Sequence, residues 1–379
     1  MKHRAKYLSV LAVAIIFLSS LALADEINVR SGESIQAAVN GAGSGDTISV
    51  QSGVYRESLN ISKPVILVGI GRPLLDAGAM NCAIILRADG ASVSGFDIRT
   101  TRRTGILVLS HNNSIKTNTI SGCLDGIRLD HSRSNNISNN NINNNTNGIT
   151  LYASERNTIA NNNVRDNNIN EESDCGIFLA YSLDNVVKDN DLMNNGDTSI
   201  SLRSASNNTL QGNSISNNDW YGISLSDSSN QNLIENNNAL RNRDAGIYLD
   251  SSRENLIREN TASDNSRGIY LSYDSNDNVL QGNNVSFNEK GLQLVGHSSN
   301  NTLKNNTAKE NRYGIYLSFS SGWNLLFFNQ LIDNVYNAYD MGQSNRWDNG
   351  QVGNYYSDLS KIFYVPGGAG VDRHPMAEP

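Results

Sequence analysis

Three groups of side chains in this sequence stand at spacings that permit chemistry. The first is His111, Cys123 and His131. Copper is bound by imidazole and thiolate groups, so these three are the candidate metal ligands. His297 and His374 stand far along the chain, and no His-x-His, Met-x-x-Met or Cys-x-x-Cys cluster occurs. The second group is Asp227, Asp250 and Asp274, spaced 23 and 24 residues apart. Converging carboxylates serve as acid and base on a glycosidic bond or as oxygen ligands for calcium; Asp is also an ordinary turn residue. The third group is aromatic and cationic: Phe178, Tyr248, Tyr270 and Tyr316 with Arg128 and Arg203. Flat rings and forked donors suit a sugar surface, although Tyr is also favoured on any exposed strand. An acidic stretch follows Arg165, with Asp166, Glu171, Glu172 and Asp174.

These groups are held by a repeat. Gly-Ile-x-Leu recurs at Gly126, Gly176, Gly222, Gly246, Gly268 and Gly314, with variants at Gly105, Gly148, Ser199 and Gly291. From Gly105 the spacings are 21, 22, 28, 23, 23, 24, 22, 23 and 23. A second signature, Asn-x-aliphatic-x-x-Asn, lies between the anchors, as in Asn208 to Asn213 and Asn232 to Asn237. Alternation of apolar residues is strand period, with Ile and Leu inward and the x position outward. Each strand is too short to stand alone. Coils stacked at about 4.8 Å let each strand bond to those above and below. Asn tolerates left-handed turns and forms ladders with its equivalent in the next coil. The pattern predicts an all-β chain: a right-handed parallel β-helix, a pectate-lyase-like solenoid of about ten coils of roughly 23 residues.

In such a stack the outward positions form columns. Two residues after the anchor the column reads Leu107, Arg128, Thr150, Phe178, Ser201, Ser224, Tyr248, Tyr270, Gln293 and Tyr316. Four residues after it stand Asp130, Arg203, Ser226 and Asp250, among others. Asp227, Asp250 and Asp274 fall in adjacent coils, as do His111 and His131. The 28-residue spacing marks one insertion, within 165–174.

Both ends need covers, because bare strand edges template aggregation. Ser34 to Asn40 reads as a short amphipathic helix behind a Ser cap. After Ala338 the repeat gives way to an aromatic, Pro/Gly-rich ending with Trp347, Tyr355, Tyr356, Phe363, Tyr364 and Pro366. The first residues have the form of an export signal: Lys2, Arg4 and Lys6, then the apolar run Tyr7 to Leu18, then Ala22-Leu23-Ala24. The expected divisions are therefore a signal peptide over 1–24, a cap and first coils over 25–104, regular coils over 105–344 and a C-terminal cap over 345–379. Three cysteines cannot all pair, so this is no disulfide scaffold. A net charge of −7 with no basic stripe argues against nucleic acid as a partner.

Several stretches resemble a known family. Ser34-Ile35-Gln36-Ala37-Ala38-Val39, Gly45-Asp46-Thr47-Ile48 and Gly53-Val54-Tyr55-Arg56-Glu57 resemble the opening of exported β-helix proteins, among them pectin methylesterases and NosD-type periplasmic copper-binding proteins. Asn345-Arg346-Trp347-Asp348-Asn349-Gly350, Gly353-Asn354-Tyr355-Tyr356-Ser357-Asp358 and Val371-Asp372-Arg373-His374-Pro375 are similar to the NosD-like ending. Leu359 to Tyr364 replaces an Asp/Gly-rich segment of many NosD-like chains, and the acidic motifs of pectin methylesterases and polygalacturonases are absent. The resemblance implies export, a β-helix, and copper handling beside a membrane transporter. The residues themselves favour a non-catalytic periplasmic or surface scaffold that binds glycan or protein ligands, a polysaccharide or another cell-envelope component. Two alternatives stay open: metal handling through copper or calcium, and a polysaccharide lyase, hydrolase or epimerase using the three aspartates.

Overall fold

The computed structural model describes residues 24–167, 175–358, 362–368 and 370–378. The expected export signal, and Glu171, Glu172 and Asp174 of the insertion, lie outside the described residues. The chain is a parallel β-helix. Each coil contributes one strand to each of three parallel sheets, of 13, 14 and 14 strands among the described residues. The Gly-Ile sheet runs from Leu59–Ile61 to Tyr336–Asp340. Two of its strands precede the ten anchored coils and one follows them, so the stack is longer than the anchors alone indicate. The irregular early segments pair in register, as in Ile48 with Leu67, and already belong to the stack.

The anchor motif works as its alternation predicts. Ile127, Leu129, Ile177, Leu179, Ile247 and Leu249 are fully buried and form one continuous core. Glycine is required beside them because the next coil stands in the way. A Cβ on Gly222 would lie 2.5 Å from the Gly246 carbonyl oxygen, and one on Gly246 would lie 2.8 Å from the Ala262 Cβ.

Asparagine carries the second half of the architecture. Asn260 donates from Nδ2 to the Ile234 carbonyl at 2.9 Å and to Asn283 Oδ1 at 3.0 Å. Its own Oδ1 accepts from the Asn237 N–H at 2.9 Å and from Asn237 Nδ2 at 3.0 Å. Every polar atom of this buried amide is thereby satisfied. The Asn-x-aliphatic-x-x-Asn signature supplies two such ladders, one from Asn113 to Asn345 and one from Asn118 to Asn354. A third runs from Asn145 to Asn334 just ahead of the Gly-Ile strands. In it Ser199 relays the step: its hydroxyl donates to Asn218 Oδ1 at 2.7 Å and accepts from Asn195 Nδ2 at 3.3 Å. Residues such as Asn139, Asn161 and Asn236, just outside the ladders, turn the corners with φ near 55°, a conformation Asn tolerates.

The ends are closed by specific contacts. The helix Ile35–Gly41 buries Ile35 and Val39 over the first coils. Ser34 Oγ accepts from the Ala37 N–H at 3.1 Å. The Glu57 carboxylate accepts from the Ile35 and Gln36 N–H groups and the Ser34 hydroxyl, which gives the Gly53-to-Glu57 motif a structural duty. At the other end Trp347 and Tyr356 fill the last coil, fully buried. The Trp347 indole donates to Asp340 at 2.8 Å, and the Tyr356 hydroxyl donates to Asp372 at 3.2 Å. Each ladder ends on a carboxylate there: Asn345 on Asp340, Asn354 on Asp372, and Asn334 through Asn337 on Asp358.

Candidate functional site

The outward side of the Gly-Ile sheet carries most of the aromatic and cationic candidates. Its strands pair so that Phe178, Ser201, Ser224, Tyr248, Tyr270, Gln293, Tyr316 and Tyr339 follow one another in register. A second column, immediately ahead of each anchor, escaped the sequence reading. It holds Tyr221, Ala245, Arg267, Lys290, Tyr313 and Tyr336. The signal was present, since Tyr221, Arg267, Lys290 and Tyr313 each immediately precede an anchor glycine. A strict in/out alternation, however, sends that position inward with the Ile and Leu, so its outward placement is a departure that the repeat pattern did not announce.

The two columns together build aromatic blocks. Ala245 leaves room beside its neighbours, and Tyr221 leans across to stack on Tyr248 at 4.5 Å and 16°. Tyr248 stacks on Tyr270 at 5.0 Å. Arg267 covers the Tyr270 ring at 4.6 Å and is itself paired with Asp244. Two coils further, Tyr313 stacks on Tyr336 at 5.0 Å and Tyr316 on Tyr339 at 5.5 Å. Lys290 sits over Tyr316 at 5.2 Å and Arg312 over Tyr313 at 5.5 Å. Neighbouring rings one coil apart face along the stack, so Tyr248 and Tyr270 present hydroxyl-bearing edges to solvent rather than open ring faces. Between the blocks stands Gln293, 6% exposed. Its Oε1 is buried with no hydrogen-bond partner, and so is Arg267 Nε.

Electrostatics follow from this packing. The Tyr248 hydroxyl donates to Asp250 at 3.1 Å and accepts from the Ser272 hydroxyl at 3.0 Å. Burial, reinforced by the Asp250 charge, holds its phenol well above the usual range. Burial likewise pushes Tyr221 up to about 12 and raises Tyr270 and Tyr316.

The other candidates are more scattered. Arg128 sits between Asp125 at 3.6 Å and Asp130 at 3.4 Å, and lies 5.8 Å from the Tyr152 ring centroid. Arg203 covers Phe178 at 5.7 Å and approaches Asp227 at 3.6 Å. Asp227, Asp250 and Asp274 do occupy one corner of three adjacent coils, but each has its own business. Asp227 faces Arg203, Asp250 holds Tyr248 and the Ser251 hydroxyl, and Asp274 offers its backbone carbonyl to Arg253. His111 and His131 also share a corner, with different neighbours. His111 Nδ1 accepts from the Arg133 N–H at 3.2 Å, whereas His131 Nδ1 meets Asp130 at 2.5 Å. Cys123 occupies the third Asn-ladder position at another corner; its backbone N–H donates to Asn145, and burial pushes its thiol up to about 11. Among the described residues no group of three or more His, Cys, Asp or Glu side chains can hold a metal ion.

Comparison with known proteins places this geometry in context. A family model described as periplasmic copper-binding protein (NosD) matches residues 79–244 and 221–361. No curated protein matches the chain. Among solved structures, the Dettilon tailspike protein is similar with a TM-score of 0.58 and 15% identity, over 80% of this chain and 64% of that one. The chain thus spans under two thirds of the tailspike. The A-module of a mannuronan C-5 epimerase from Azotobacter vinelandii is similar at 0.53 and 16%, over 82% of this chain and 92% of the module. A DFA-IIIase from Arthrobacter chlorophenolicus without its lid is similar at 0.53 and 12%, over 89% and 100%. At these identities the likeness is one of fold.

Proposed function

The chain belongs to the NosD family of periplasmic copper-binding proteins, and from that premise we propose that it is an exported scaffold that binds a glycan along the outward face of its Gly-Ile sheet without transforming it. The observation that carries this reading is the pair of tyrosine blocks, Tyr221, Tyr248 and Tyr270 and then Tyr313, Tyr316, Tyr336 and Tyr339, laid in register along one face. Their edges offer hydroxyl groups over an extended strip, and Arg267, Lys290 and Arg312 add cationic donors beside them. A polysaccharide chain lying along the stack meets this strip residue after residue. By its name the mannuronan epimerase acts on a polysaccharide on the same fold. The separate partners of Asp227, Asp250 and Asp274 favour binding over turnover. Among the described residues no helix is long and apolar enough to cross a membrane.

The test is affinity electrophoresis of the mature protein through acidic and neutral polysaccharides, with the Tyr248→Ala/Tyr316→Ala double variant alongside. Retardation that the double variant loses supports the reading; undiminished retardation of that variant removes the face from it. Turnover of any polysaccharide that Asp250→Ala abolishes would make the protein an enzyme instead.

The family description favours a second reading, copper handling beside a transporter. His111, His131 and Cys123 do not fit a common three-ligand site, because their side chains stand at two corners of the coil and the Cys123 thiol is buried and protonated. A copper titration separates the readings: stoichiometric binding lost in His111→Ala/His131→Ala would put metal handling first.

A further inference from the structure

We propose that the glycan face contains a subsite for an acidic sugar, centred on Lys290 and Gln293, in which Lys290 pairs with a uronate carboxylate and the Gln293 amide takes a neighbouring sugar hydroxyl. This rests on the glycan-binding reading above and assigns its ligand class. Two cations stand inside the face, in the column ahead of the anchors. Arg267 is neutralised by Asp244. Lys290 has no carboxylate within ion-pair distance among the described residues. The nearby acid Glu289 is turned to Arg312 at 3.7 Å instead. Lys290 lies over the Tyr316 ring at 5.2 Å, a weak attraction at an exposed site. A carboxylate offers this ammonium a charge-assisted hydrogen bond as well as the ring's attraction, and the ring leaves room for it.

Gln293 supplies the second, independent observation. It lies three residues along the same strand, between the Tyr270 and Tyr316 rows, and is 6% exposed. Its buried Oε1 has no partner, and neither does Arg267 Nε in the preceding coil. Buried amide oxygens are almost always paired, and leaving one unpaired is costly. A sugar hydroxyl reaching Gln293 provides a donor for this amide just where the free charge of Lys290 stands. Neither group has a role in the core or in the ladders. The protein's net charge of −7 repels a polyanion at long range, so any preference for an acidic chain must come from local contacts.

The test compares two probes of equal length, oligogalacturonate and a cello-oligosaccharide, by titration calorimetry on the mature protein and its Lys290→Ala, Lys290→Arg and Gln293→Ala variants. The expected result is tighter binding of oligogalacturonate than of the neutral chain. Lys290→Ala should cut the acidic probe's affinity by about tenfold, equivalent to about 1.4 kcal/mol, while changing the neutral probe's affinity less than about twofold. Lys290→Arg should keep the preference, and Gln293→Ala, which removes a contact to a hydroxyl, should weaken both probes and leave the preference for the acidic one. Equal affinity for the two probes, or equal losses on both in Lys290→Ala, overturns the subsite and leaves the glycan face standing. Binding of neither probe by the folded protein overturns the glycan reading itself.

Discussion

Tyr248 has both ring faces covered, by Tyr221 and Tyr270, while its hydroxyl is held between Asp250 and Ser272. Its neighbour Tyr221 has a folded value of about 12 against an ordinary phenol near 10, so the folded protein prefers the neutral ring. The stability that depends on this preference is complete below about pH 10 and is lost as the pH climbs towards 12. In a phenolate absorbance titration Tyr221, Tyr248 and Tyr270 should ionise late, as structure is lost. Tyr221→Phe should shrink that alkaline loss; an unchanged profile would show that Tyr221 is not shielded. Asp372 is the other residue to probe. It accepts from the Asn354 N–H at 2.7 Å, the His374 N–H at 3.0 Å and the Tyr356 hydroxyl. Asp372→Ala should cost about 3 kcal/mol, read as a lower denaturant midpoint, because it strands buried donors. At this scale the sequence shows residue types better than contacts. The tyrosine column was visible in the repeat, but the diagonal reach of Tyr221 over Ala245 depends on one small side chain in a column that the motif Gly-Ile-x-Leu does not include.

A single coil is the element of this protein, and its strands and asparagine rungs were legible for different reasons. Strand period survives any change in the outward residues, so the Gly-Ile sheet could be read from alternation alone. The ladders at Asn113 and Asn118 could be read because two asparagines flank a fixed aliphatic position. The Asn145 ladder stayed hidden because one Asn per coil, in a chain rich in turn Asn, carries no flanking pattern. Asn260→Ala should cost about 2–4 kcal/mol, since it orphans the Asn237 N–H and the Ile234 carbonyl. Asn236→Gly, one residue outside the rung at φ 55°, should change stability by less than about 0.5 kcal/mol. Equal effects in urea unfolding would deny the ladder its role. Gly246→Ala should destabilise more than an exposed substitution does, because its Cβ meets Ala262 and the Gly268 carbonyl at 2.8 and 2.9 Å.

The whole molecule is a one-dimensional stack, in which each coil contacts chiefly its neighbours. Removing residues 126–147 deletes one coil in register: Asn113 would then meet Asn157, Asn118 would meet Asn162, and Cys123 would meet Asn167. The shortened protein should keep its β-rich circular dichroism spectrum and a cooperative melt, with the tyrosine face untouched. A molten or aggregated product would mean that this coil has a duty beyond stacking. The rungs also point one way. In all three ladders the amides donate to the coil that follows, at Asn195 through the Ser199 hydroxyl, so the side-chain dipoles align head to tail and reinforce one another, with their positive ends towards the C-terminus. Asp340, Asp358 and Asp372 meet those positive ends as counter-charges, much as an anion meets the N-terminus of a helix. A chain that emerges and coils from its N-terminal end therefore carries three unanswered NH2 groups, one per ladder, on its growing tip. It stays adhesive until the last residues arrive to terminate the current of hydrogen bonds.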